Sequence, residues 1–233
     1  MHASIKEILR QAIQAHRSKN FKKAIRLYKI ILVFAPSHSD ATHNLGVLFS
    51  DTGKVNDAIV LLKKAINIDC LRPQFVASYI TVKLDLNLSI IDDQIVSNAT
   101  RNYNAPYHQE LAQILNNSGV RRKKNNLYTT AQYFYHYALN FKPNYSTALN
   151  NLGNLSLEMK NMRVAYLSYK KAICLKPQLA AAYTNLADYF FKVQKYEMAL
   201  DILSKSLKIN LRSPLTYLNQ GNVLTRVGSV DKI

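Results

Sequence analysis

Two cysteines in 233 residues are too few for a disulfide framework. They are Cys70 and Cys174, set in no Cys-x-x-Cys pair, and reduced, buried thiols in a cytoplasmic protein are the expectation. Six glycines and six prolines exclude a linker or a low-complexity tail. Charges interrupt every apolar stretch well short of the roughly 18 residues that a membrane span needs. Met1 to Ser18 carry Glu7, Arg10 and Arg17 within an apolar pattern, with no apolar core and no small-residue cleavage site. A first helix is expected there, not a signal peptide. Phosphate loops, nucleophile elbows, paired carboxylates and His/Cys clusters at metal-ligand spacing are also missing. Catalytic residues, a metal and a cofactor are therefore not expected within these residues. No RNP or zinc-finger signature points to nucleic acid.

What the chain does have is a period. Asn117, Asn151, Asn185 and Asn219 stand 34 residues apart, each in a near-copy of Asn-Leu-Gly, and Asn44-Leu45-Gly46 is a further copy. A fixed step in this range means stacked supersecondary units, each touching only its neighbours. With the recurring Asn as sixth position, the units are 5–38, 39–72, a divergent 73–111, 112–145, 146–179, 180–213 and a short 214–233. Leu149, Leu152 and Ser156, or Tyr183, Leu186 and Phe190, repeat at helical spacing. Small residues at the eighth and twentieth positions (Gly153 and Ala165) let two antiparallel helices approach. Pro36, Pro143 and Pro177 follow the second helix, where a stop is wanted. In the divergent unit, Phe75 to Leu84 reads as one helix, Ile90 to Thr100 as another, and Asn102 to Pro106 as an exit loop. In the last unit, Gly228-Ser229 reads as a turn, and the chain looks cut from a longer protein.

Leu149, Leu152, Gly153, Ala165, Tyr169, Ala172 and Pro177 resemble the tetratricopeptide repeat pattern, with Leu149 in place of its Trp and Ser156 in place of its first Tyr. The resemblance implies an all-α solenoid, a single array over 1–233 coiled as a right-handed superhelix of antiparallel helix pairs. It also implies that the first helices line a concave groove. The sixth-position asparagines would then point into that groove. A carboxamide both donates and accepts, so Asn44, Asn117, Asn151, Asn185 and Asn219 could grip the main chain of an extended peptide. Asn154 and Asn222, three residues further on, would widen the ladder. This is similar to the asparagine ladder of O-linked N-acetylglucosamine transferases. The other use of these asparagines is to bond neighbouring helices, and both stay open. The clamp positions for acidic chaperone tails hold Asp40, His43, Gln113, Asn116, Thr147, Asn150, Ala181 and Thr184 instead of Lys and Arg, which argues against a chaperone-tail receptor.

Charge is the second feature, +17 in all. Residues 1–38 carry +7 (eight basic, one acidic), 39–111 carry −2 (six and eight), and 112–233 carry +12 (seventeen and five). Arg121 to Lys124 is the densest cluster. Lys192 and Arg226 share the repeat position of Lys124, so the three are candidates for a basic groove rim that attracts an acidic peptide or another polyanion. A solvated basic surface is the plainer reading. Tyr133 to Tyr137 adjoins the cluster, but Phe134 and Tyr135 fall on core positions.

Two functions lead. One is a non-catalytic scaffold that holds a protein or peptide in its groove. The other is the substrate-selecting N-terminal array of a larger enzyme, either a glycosyltransferase of the O-linked N-acetylglucosamine type or a sulfotransferase or methyltransferase. Phe21-Lys22-Lys23-Ala24-Ile25-Arg26-Leu27-Tyr28, with Pro36 after it, looks like the start of such bacterial proteins. A basic surface that binds nucleic acid is a third, weaker alternative.

Overall fold

The computed structural model of the protein describes residues 4–86 and 93–230. Among them are thirteen helices and no strand. They run α1 (Ile5–Arg17), α2 (Phe21–Phe34), α3 (Ser39–Asp51), α4 (Val55–Ile68), α5 (Pro73–Asp85), α6 (Gln94–Asn102) and α7 (Ala105–Lys124). Then follow α8 (Tyr128–Phe141), α9 (Ser146–Glu158), α10 (Met162–Leu175), α11 (Ala180–Lys192), α12 (Tyr196–Ile209) and α13 (Pro214–Val230). None of the described helices is long and apolar enough to cross a membrane.

Five hairpins are closed by the same turn. Lys19, Gly53, Asn126, Lys160 and Gln194, all at repeat position 15, have φ between 60° and 79°. The next backbone N–H donates five residues back, as Asn161 N does to Ser156 O at 2.8 Å and Lys195 N to Phe190 O at 2.8 Å. That is a left-handed helix cap, and it satisfies carbonyls that the helix end leaves bare. Second helices then start on side-chain caps where one is available: Asn20 accepts from Lys23 N and Asn161 from Val164 N, each at 3.3 Å.

Within a hairpin, small residues let the pair close. Ala24, Ala58, Ala131, Ala165 and Ala199, at position 20, are fully buried, as are Tyr28, Leu62, Tyr135, Tyr169 and Leu203 at position 24. A methyl on Gly153 would lie 2.5 Å from the Tyr169 ring, and one on Gly119 would lie 2.7 Å from Tyr135. These glycines are required by the aromatic ring opposite.

Packing divides the chain into two compact units, one up to Ile114 and one from Leu115. The first has a core of Ala12, Tyr28, Ile31, Leu45 and Leu48. The second is built around Tyr169, Leu186, Phe190 and Leu203, with Tyr135 and Leu152 in a neighbouring cluster.

The divergent segment differs from its sequence reading. α6 begins at Gln94, and residues 90–92 of the expected helix lie outside the described residues. The expected exit loop shrinks to Tyr103 and Asn104. Ala105 and Pro106 instead form the first turn of a 20-residue α7, because Asn104 Oδ1 accepts from Tyr107 N at 3.1 Å and Pro is tolerated at that end. α6 is fastened by Asp93, which accepts from Tyr79 Oη at 2.6 Å, Lys83 Nζ at 2.8 Å and Ile95 N at 3.0 Å. Burial alone would raise the Asp93 carboxyl, but Lys83, Tyr79 and the Ile95 N–H outweigh it and hold its pKa below the usual carboxylate value.

Two further expectations are corrected. Gly228 does not form a turn; α13 continues through it to Val230. Nor are the thiols buried. Cys70 and Cys174 are free and exposed, the first in the turn after α4 and the second near the end of α10 on its outer face.

Candidate functional site

Successive first helices lie side by side, and this juxtaposition puts repeat position 5 of one unit against position 6 of the next. Asn151 Nδ2 donates to Asn116 Oδ1 at 3.0 Å, and Asn185 Nδ2 donates to Asn150 Oδ1 at 2.9 Å. Both acceptors are buried, at 3% and 7% exposure, whereas Asn151 and Asn185 are half-buried. Each therefore gives one N–H to its neighbour and keeps a second N–H and its carbonyl oxygen for the open side. The bond to the preceding helix also fixes the carboxamide plane.

In the N-terminal unit the same link is made by other residues. His43 Nε2 lies 2.9 Å from Ser78 Oγ, and His43 Nδ1 lies 3.1 Å from Asn44 Oδ1. A carboxamide oxygen only accepts, so Nδ1 carries the hydrogen and Nε2 accepts from the Ser78 hydroxyl. The ring stacks on Phe75 at 4.4 Å between centroids. Burial lowers its pKa, against the opposing pull of Asn44 and Asp40. This histidine is a structural link between units.

The remaining candidates fall in several places. Asn44 is half-buried, with its Oδ1 taken up by His43. Asn117 is exposed and accepts only a long bond, 3.4 Å, from Asn116 Nδ2. Asn154 Oδ1 accepts from Tyr169 Oη at 2.8 Å, so it anchors the core tyrosine. Asn219 and Asn222 line a small recess with Asp188 and Phe191. Thr184, at position 5, turns instead to Ser206 Oγ at 2.8 Å and Thr216 Oγ1 at 2.9 Å, forming a buried hydroxyl cluster.

The candidate rim residues share their repeat position with acids. Lys124, Lys192 and Arg226 are all exposed, but Lys192 Nζ pairs with Asp188 at 2.9 Å. The same repeat position holds Asp51 and Glu158, and each is bound by position 12 of the preceding unit. The pairs are His16 with Asp51 at 3.0 Å and Lys123 with Glu158 at 2.7 Å. Arg122 lies over the Phe134 ring. Phe134 and Tyr135 are fully buried, leaving Tyr133 as the exposed aromatic beside the cluster. Sequence reading missed the position-5 partners. The doublets Asn116-Asn117 and Asn150-Asn151 were their signal.

Residues 146–179 and 180–212 each match the tetratricopeptide repeat family. No curated protein matches the chain. Among solved structures, the Sgt2 tetratricopeptide domain of Aspergillus fumigatus is 16% identical with a TM-score of 0.50, over 52% of this chain and 82% of that one. The first tetratricopeptide domain of Spaghetti (RPAP3), bound to HSP90 peptide SRMEEVD, is 18% identical with a TM-score of 0.49, over 52% and 95%. YrrB, a tetratricopeptide protein with an unusual peptide-binding site, is 14% identical with a TM-score of 0.45, over 94% and 92%. Residues 146–212 thus carry tetratricopeptide repeats within an all-α fold, and such repeats fit a protein-interaction scaffold.

Proposed function

We propose that this chain is a non-catalytic scaffold whose first helices hold an extended peptide through the open edges of Asn151 and Asn185. The observation that carries this reading is the pair of bonds to Asn116 and Asn150. They orient each carboxamide before any ligand arrives, which lowers the entropy that binding must offset. A neutral amide reads the peptide main chain and not its side chains, so sequence tolerance is expected. A substrate-selecting region of a larger enzyme would use the same edges.

The test uses a peptide selected from a random display library against the full chain. Asn151→Ala and Asn185→Ala should each weaken its binding by about 1 kcal/mol, and the loss should persist in high salt. Those changes also strand the buried oxygens of Asn116 and Asn150, so a second pair is needed. Asn116→Ala and Asn150→Ala remove the link between units without removing a groove carboxamide. They should cost stability but less affinity. Equal affinity losses from both pairs would mean that the asparagines only join helices.

A further inference from the structure

The N-terminal unit holds a cleft of about 840 Å³ between α1, α3 and the start of α2, within the range of ligand pockets. Its apolar floor is Ile13, Phe21 and Val47. Arg17 and Lys19 stand on its wall, both exposed, and Asn44 adds a side-chain amide. Asp51, the carboxylate among the lining residues, is already held by His16 Nε2 at 3.0 Å. Two cations thus face a cavity whose one carboxylate is bonded to His16, itself a lining residue, and the first 38 residues carry eight basic residues and one acidic.

We propose that this cleft takes an acidic side chain next to an apolar one on a peptide held by the N-terminal unit. It rests on the peptide-groove reading and adds a side-chain preference to it. Arg17 and Lys19 would take the carboxylate, Asn44 Nδ2 would donate to it or to the adjacent main chain, and the apolar neighbour would cover Ile13, Phe21 and Val47. The apolar floor favours such a pair over a phosphate chain, which would leave it uncovered. The position of Lys19 in the hairpin turn holds its backbone in place, since its N–H donates to His16 O at 3.0 Å.

The probe is the blocked dipeptide Ac-Phe-Glu-NH2, titrated into the full chain by NMR beside Ac-Phe-Gln-NH2. The expected result is shifts at the Arg17 side chain, the Asn44 side-chain amide and the backbone of 13–19 and 44–51. The glutamate form should bind about fivefold tighter, the scale of an exposed ion pair. Arg17→Gln with Lys19→Gln should abolish that preference, and Arg163→Gln with Lys170→Gln on α10 should leave it intact. Equal binding of both dipeptides, or no shift at these residues, overturns the subsite. So does a thymidine oligonucleotide that moves the same signals at lower concentration, which would assign the cleft to nucleic acid. Failure of the groove reading shows separately, in the Asn151 and Asn185 variants of the other unit.

Discussion

Gly153 and Gly221 occupy the same repeat position and should respond oppositely to alanine. A methyl on Gly153 enters the Tyr169 ring, so Gly153→Ala should destabilise by about 1–3 kcal/mol, as overpacking does. Gly221, on α13, has nothing within 4 Å, and Gly221→Ala should stabilise by about 1 kcal/mol through helix propensity. Denaturant midpoints for the two variants check both signs. His43 gives a residue-scale pH effect. Its folded pKa is lowered by burial, so its contribution is fully present above its unfolded pKa, about 6.5, and is lost as pH falls towards the folded value. Asp40 and Arg72 act on it with opposite signs. His43→Asn restores the residue found at Asn116 and Asn150 and should remove that part of the drop in melting temperature between about pH 7.5 and 5.5. An identical drop in the variant would show that other groups carry it.

At the scale of the element, five hairpins place position 15 in the left-handed region, yet only Gly53 does so without steric cost. Lys160→Gly should therefore stabilise by about 1 kcal/mol, and Gly53→Ala should destabilise by a similar amount, read from chemical unfolding. α6 is the shortest helix among the described residues, nine residues long and fastened at its start by Asp93. Asp93→Asn should release it. Hydrogen exchange at 95–102 should accelerate while 146–209 stays unchanged, because coupling in a repeat array reaches only neighbours. Unchanged exchange at 95–102 would mean that packing of Val96 and Ala99 holds α6 without the charge.

For the whole molecule, the balance of 31 basic to 14 acidic residues predicts affinity for any polyanion at low salt. Binding of a thymidine oligonucleotide should fall more than about tenfold between 50 and 200 mM salt, as counterion release requires. Peptide binding through carboxamides should change little over that range. Replacing Arg121 and Lys124 by Gln should flatten the first curve and leave the second, measured by fluorescence anisotropy. A salt slope as steep for the selected peptide as for the oligonucleotide would make charge, and not the asparagines, the basis of binding.

The helix pairs were legible in the sequence because their causes are local and repeated. Gly or Ala at position 8, Ala at position 20 and an aromatic or Leu at position 24 recur at one spacing, and a hairpin needs little else. The start of α7 was harder to see. Asn104-Ala105-Pro106 suits a loop or a capped first turn equally well, and the Asn104 side chain decided for the turn by bonding Tyr107 N. The exposure of Cys70 and Cys174 was likewise a matter of which side of a turn or helix faces solvent. The sequence alone determined that asparagines recur every 34 residues. Only the tertiary structure decided that Asn151 and Asn185 each spend one N–H on the preceding helix, that Asn154 holds Tyr169, and that Asp51 pairs with His16 and Glu158 with Lys123. The reason is one of distance. Periodicity names the residue at each position, but a hydrogen bond or ion pair between positions 35 apart exists only once two helices have been laid against each other.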